Sequence, residues 1–131
     1  MSKNNLILSY TNENYIIDQS IYIGKPIKSD LNLLFVLGCL NSRITYWYFK
    51  NLYNEFDDLF PQIKTKEFKS LKIPICSDTK KILISNIVKK TISLKQENPK
   101  KDTSILEREI DQMVYNLYGL TSDEIKIVEN S

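Results

Sequence analysis

Eleven lysines stand between Pro61 and Lys101 against only Glu67, Asp78 and Glu97, a block of net +8. Four of them, Lys64, Lys66, Lys69 and Lys72, fall within nine residues beside Gln62. Ammonium groups at this density do the chemistry of anion binding. Neutralising phosphates releases condensed counterions, so a polyphosphate is the partner the block suits. The competing reading is solvated helix faces in a chain whose lack of alanine and wealth of isoleucine, lysine, asparagine and tyrosine match an AT-rich coding bias. Other chemistries are poorly supplied. Histidine is absent, which removes the commonest general base, the commonest zinc ligand and every Ser–His or Cys–His nucleophile pair. Gly24, Gly38 and Gly119 are isolated, so there is no glycine-rich phosphate loop. Asp58, Glu67 and Lys69 match the sparse spacing of metal-dependent nucleases, two carboxylates for Mg²⁺ and a lysine near the nucleophile. That chemistry wants Glu67 and Lys69 side by side on one strand, whereas Lys66–Leu71 reads as a helical turn.

The lysines need a scaffold, and the chain is long enough to give one. A length of 131 residues with 42% hydrophobic and 11% aromatic content suits one domain with its own core. Charge is divided by region: residues 1–60 are net −1, and residues 102–131 carry seven carboxylates against Arg108 and Lys126, net −5. The first residues are polar and show no signal-peptide pattern. The longest apolar stretch, Leu31–Tyr53, is interrupted by Asn32, Asn41, Ser42, Arg43, Lys50 and Asn51, too polar for a membrane span. No membrane partner is expected. Cys39 and Cys76 lie in apolar runs and read as free thiols in a reducing cytoplasm.

The elements follow from local pattern. Leu6–Tyr10, Tyr15–Asp18 and Ser20–Ile23 read as short antiparallel strands, the first two parted by the turn-like Thr11–Asn14. Ser29 or Asp30 caps a long buried helix over residues 30–53. Gln62–Lys64, the turn Lys66–Leu71 and Lys72–Cys76 read as strand, turn and strand, with Ile73 and Ile75 on one side and Pro74 marking an edge. Ser77 or Asp78 caps a helix to about Gln96, its apolar stripe running through Ile82/Leu83, Ile87 and Ile92/Leu94. Asp102 or Thr103 caps the next, with Leu106, Ile110, Met113, Val114 and Leu117 on one side and Gly119 closing it. Thr121 and Glu124 form a capping box for a last helix with Ile125 and Val128 inside. The expected class is α+β: a small twisted antiparallel sheet with a long packed helix, followed by C-terminal helices, in one domain spanning 1–131.

Three stretches carry a resemblance. Phe60–Ile75 reads FPQIKTKEFKSLKIPI and leads into a polar-capped helix. It resembles the strand, one-turn helix and Ile-Pro strand that end target recognition domains in DNA methyltransferases and restriction–modification specificity subunits. Leu37–Arg43, LGCLNSR, resembles the leucine-asparagine-serine helix of TaqI-like specificity domains. Ile110–Glu129, IDQMVYNLYGLTSDEIKIVE, is similar to the closing stretch of large fused type IIG restriction–methylation enzymes. The chain is identified as similar to a TaqI-like C-terminal specificity domain. The methyltransferase cofactor loop and its Asn-Pro-Pro-Tyr motif are absent.

The resemblance implies a non-catalytic reader of double-stranded DNA. Methyltransferase or endonuclease domains would act in cis or trans and would hold the S-adenosylmethionine and Mg²⁺; no cofactor, small-molecule ligand or catalytic activity is expected of this chain. Phosphate contacts fix register and base-edge contacts supply sequence. On that division Lys64, Lys66, Lys69 and Lys72 face a backbone, Gln62 suits an adenine edge, and Arg43 or Lys64 suits guanine. The acidic terminal helices are expected to face away from DNA or to dock on a basic partner domain. Two other readings stay open: a non-catalytic helical adaptor that joins subunits, and the Mg²⁺-dependent nuclease of Asp58, Glu67 and Lys69.

Overall fold

Three of the five described helices start at a residue whose side chain accepts an amide of their first turn. The computed structural model of the chain describes residues 32–52 and 71–131, and among these it contains five helices. Helix α1, Leu33–Leu40, begins where the Asn32 side chain accepts the Phe35 N–H at 3.1 Å. Helix α2 is Arg43–Leu52. Helix α3, Asp78–Glu97, is capped by Ser77, whose Oγ accepts the Lys80 N–H at 3.4 Å. Helix α4, Ser104–Leu117, follows an Asp102 side chain that accepts the Ser104 N–H at 2.9 Å. Helix α5, Ser122–Glu129, has the full capping box expected of Thr121 and Glu124. Between α4 and α5 the backbone turns at Gly119, φ 69°, and the Leu120 N–H reaches back to the Tyr115 carbonyl. That is the left-handed closure glycine permits at least cost.

The long helix expected over residues 30–53 is two helices. The cap expected at Ser29 or Asp30 falls instead at Asn32. The break at Asn41–Ser42 has a local cause. A continuous helix would send the Arg43 N–H to the Cys39 carbonyl. That carbonyl is instead taken by two hydroxyls, Ser42 Oγ at 2.6 Å and Thr45 Oγ1 at 2.7 Å. Both side chains are buried, so the bonds are made away from water.

The core sits where α1 lies on α3 and α4. Phe35 and Cys39 meet Ile84, Val88, Ile110 and Val114, all buried. Gly38 lets α1 approach: a Cβ there would stand 3.0 Å from Val88 Cγ2 and 3.1 Å from Ile84 Cγ2. This approach sets the register of α3. Its buried positions are Ile84, Ser85 and Val88, while Ile82 and Leu83, expected on the inner stripe, are each about half exposed. Ile87 and Ile92 flank the core as expected. Helix α2 packs on α4 and α5. Burial raises the Cys39 thiol to about 12, with the nearby Cys76 adding to it, and both cysteines are free.

The expected α+β class is corrected. The described residues are 73% helical with no strand among them, so a small antiparallel sheet is not supported. The strands read over residues 6–23 and 62–64, and the turn after them up to residue 70, lie outside the described residues. Lys72–Cys76 lies inside and is irregular chain. Its alternation fails: Ile73 packs against the core, whereas Ile75 is 99% exposed. The physical reason is visible at two backbone groups. Pro74 has no N–H to give a ladder, and the Lys72 carbonyl is taken by the Tyr118 hydroxyl at 3.0 Å. No described helix is long and apolar enough to cross a membrane.

Candidate nucleic-acid interface

Of the six residues proposed to touch DNA, Gln62, Lys64, Lys66 and Lys69 lie outside the described residues, as do Asp58 and Glu67 of the nuclease reading. Arg43 and Lys72 are described, and both side chains are exposed. Arg43 opens α2. Its N–H donates to Asp111 Oδ1 at 3.0 Å, and its guanidinium donates through Nη2 to the Glu129 carbonyl at 2.9 Å. Asp111 thus supplies from α4 the acceptor that the Cys39 carbonyl withholds. Lys72 is tied through its main chain to Tyr118, which ends α4.

The electrostatics around Arg43 are unusual. Asp111 is only 8% exposed, and burial is the main cause that lifts its carboxyl to about 6. The Arg43 N–H and guanidinium pull it down, while Glu129 and Glu107 push it up. One turn along α4, Tyr115 is fully buried, and its hydroxyl has no hydrogen-bond partner among the described residues. Burial raises that phenol first, and the negative charges of Asp111 and Glu129 raise it further. Asp111 of α4 and the Glu129 carbonyl of α5 therefore both meet Arg43.

The lysines of α3 are less focused than those before it. Lys80, Lys89 and Lys90 are exposed and Lys81 is half-buried. At helical spacing they do not form one stripe. Lys89 and Lys90 flank an outer face that also shows Asn86, Ser93, Ile82 and Leu83. Such a face adds to the positive field without defining a groove.

Sequence reasoning named Arg43 and Lys72 but missed Asp111 and Tyr118, which hold them. A signal was present. Asp111 sits beside Ile110 and one turn before Tyr115 on the buried side of an amphipathic helix, where a carboxylate must find donors.

Residues 1–75 match the family of TaqI-like C-terminal specificity domains, more than half of the chain. The chain belongs to this family. Its general role is DNA recognition of the restriction–modification type. The specificity-domain match includes two of the three stretches that suggested it, Leu37–Arg43 and Phe60–Ile75, and all six candidate DNA contacts. The third stretch, Ile110–Glu129, falls beyond it. No curated protein and no solved structure matches the chain.

Proposed function

We propose that this specificity domain is the sequence-reading part of a larger cytoplasmic restriction–modification enzyme, a DNA adenine methyltransferase or endonuclease. The chain binds duplex DNA and does no chemistry of its own. Catalytic domains, in cis or in trans, hold S-adenosylmethionine and Mg²⁺. The observation that carries this reading is the coincidence of the family match with the lysine cluster: Arg43, Gln62, Lys64, Lys66, Lys69 and Lys72 all fall inside residues 1–75. Lysine and arginine supply phosphate contacts, and Gln62 supplies an amide edge for a base.

A salt titration of the chain on mixed-sequence duplex DNA tests it. If about four or five phosphates are neutralised, log K falls against log salt with a slope of roughly −4. Absence of salt-dependent binding at low ionic strength would remove the reading. The adaptor reading is favoured by one observation, the exposed Ile82, Leu83, Ile105 and Ile127 on helices outside the family match. It predicts a chain with little affinity for DNA that co-purifies with catalytic domains.

A further inference from the structure

We infer that Asp111 and Tyr118, which lie beyond the family-matched residues, are positioning residues for the DNA contacts of Arg43 and Lys72. The inference rests on the DNA-binding reading above and adds the tail to that site. The two described candidate contacts share one arrangement: each has a main-chain group held by a side chain of α4 or its cap, 68 residues away for Arg43 and 46 for Lys72.

The bond to Arg43 decides where α2 points. The Ser42 and Thr45 hydroxyls take the carbonyl that would have continued α1, so the helical ladder does not carry direction across the break. Asp111 Oδ1 accepts the first N–H of α2 instead, and the Glu129 carbonyl holds the guanidinium from the other side. A single hydrogen bond to a neutral carbonyl on an exposed side chain is exchangeable for a base edge or a phosphate. A guanidinium has five N–H donors, so most of its capacity stays available. The bond to Lys72 does the same for irregular chain. This segment has no ladder, and the Tyr118 hydroxyl fixes its carbonyl while leaving the ammonium group in water. Readout of a base edge tolerates little displacement of the backbone that presents the side chain, so these two ties act on binding through Arg43 and Lys72 and not by touching DNA.

The test uses the full 131-residue chain, with Asp111→Ala, Asp111→Asn and Tyr118→Phe. Two quantities are measured: affinity for a mixed-sequence duplex at fixed low salt, and amide hydrogen exchange at Arg43. Thermal unfolding followed by Trp47 fluorescence confirms that each variant is folded at the assay temperature. Asp111→Ala and Tyr118→Phe are each expected to weaken DNA binding about tenfold, the equivalent of one lost hydrogen bond. Asp111→Asn keeps an acceptor at the same place and is expected to bind within about threefold of the parent. The Arg43 amide should exchange about tenfold faster in Asp111→Ala and not in Asp111→Asn. Parent-like affinity in Asp111→Ala and Tyr118→Phe overturns the inference and leaves the DNA reading intact. So does an Asp111→Asn variant as weak as Asp111→Ala, because charge and not the held N–H would then be at work. If Asp111→Ala does not fold, Tyr118→Phe still decides, since its hydroxyl is at the surface. A parent chain that does not bind DNA sinks the reading itself, and the inference goes with it.

Discussion

A carboxylate removed from water should make itself felt in how the chain responds to pH. Asp111 has an ordinary value of 3.8 and stands at about 6 in the folded chain, chiefly through burial. The folded state therefore holds this proton more tightly than the unfolded one. Its contribution to stability is complete below about pH 4 and is lost as pH rises through 6. The groups facing it are Arg43 from α2, which lowers its value, and Glu107 on its own helix and Glu129 from α5, which raise it. From this group alone the chain should be less stable at pH 7 than at pH 4.5, by at most about 3 kcal/mol. Asp111→Asn should flatten that slope, as urea midpoints across pH 4.5 to 7 would reveal; an undiminished slope would place the cause elsewhere. At the same scale the lysines divide by role. Lys66→Ala and Lys69→Ala should weaken every duplex alike and each make the salt slope shallower by about 1, whereas Gln62→Ala should change the ranking of sequences. Binding-site selection with parent and variants measures both, and unaltered ranking in Gln62→Ala would remove it from base readout.

The starts of α3 and α5 were readable because capping is local, whereas those of α1 and α2 were not. Ser77 and the Thr121–Glu124 box lie within four residues of the amides they bind, and the structure places their helices where those signals put them. What could not be read was decided at long range. The break between α1 and α2 depends on hydroxyls competing for one carbonyl and on Asp111 arriving from 68 residues away. Periodicity sees neither, and apolar residues recurring at helical spacing from Leu31 to Tyr53 read as one helix. The strand expected at Lys72–Cys76 failed for a similar reason: isoleucine alternation suggests a ladder, but a proline and a distant tyrosine hydroxyl take the backbone groups a ladder would need. The register of α3 was missed by one step because Gly38, not the helix's own hydrophobicity, selects Ile84 and Val88 for the interface. That choice gives the element-scale prediction. Val88 and Ile84 are β-branched and stiff in a helix, so neither methyl at 3.0 and 3.1 Å swings aside easily for an added Cβ. Overpacking costs about 1–3 kcal/mol, against about 1 kcal/mol gained from replacing helical glycine. Gly38→Ala should be destabilising by about 1 kcal/mol net, seen as a lower urea midpoint at unchanged slope. A variant as stable as the parent would mean that α1 and α3 have slack where the structure shows contact.

The boundary of the family and the boundary of the core do not coincide. The specificity-domain match ends at residue 75, yet four of the six buried residues of the core cluster, Ile84, Val88, Ile110 and Val114, come later in the chain. Phe35 and Cys39, inside the match, are covered by them. Family resemblance was legible because short motifs survive as spelling. The dependence of α1 on α3 and α4 was not, because it exists only once the chain has folded. Removing residues 78–131 would uncover Phe35 and Cys39 and leave the Arg43 N–H and the Lys72 carbonyl without their described partners. Each large apolar side chain returned to water costs about 1.5–3 kcal/mol, and an unpaired buried amide about 1–3 kcal/mol. A few such losses equal the roughly 5–15 kcal/mol by which a domain is stable at all. The expected outcome is that a chain ending at Ser77 shows no cooperative thermal transition by circular dichroism, while the 131-residue chain does. A truncated chain that melts cooperatively near the parent's midpoint would show the matched residues to be self-sufficient. The tail would then be an accessory, and its ties to Arg43 and Lys72 would have no bearing on how the recognition segment is held.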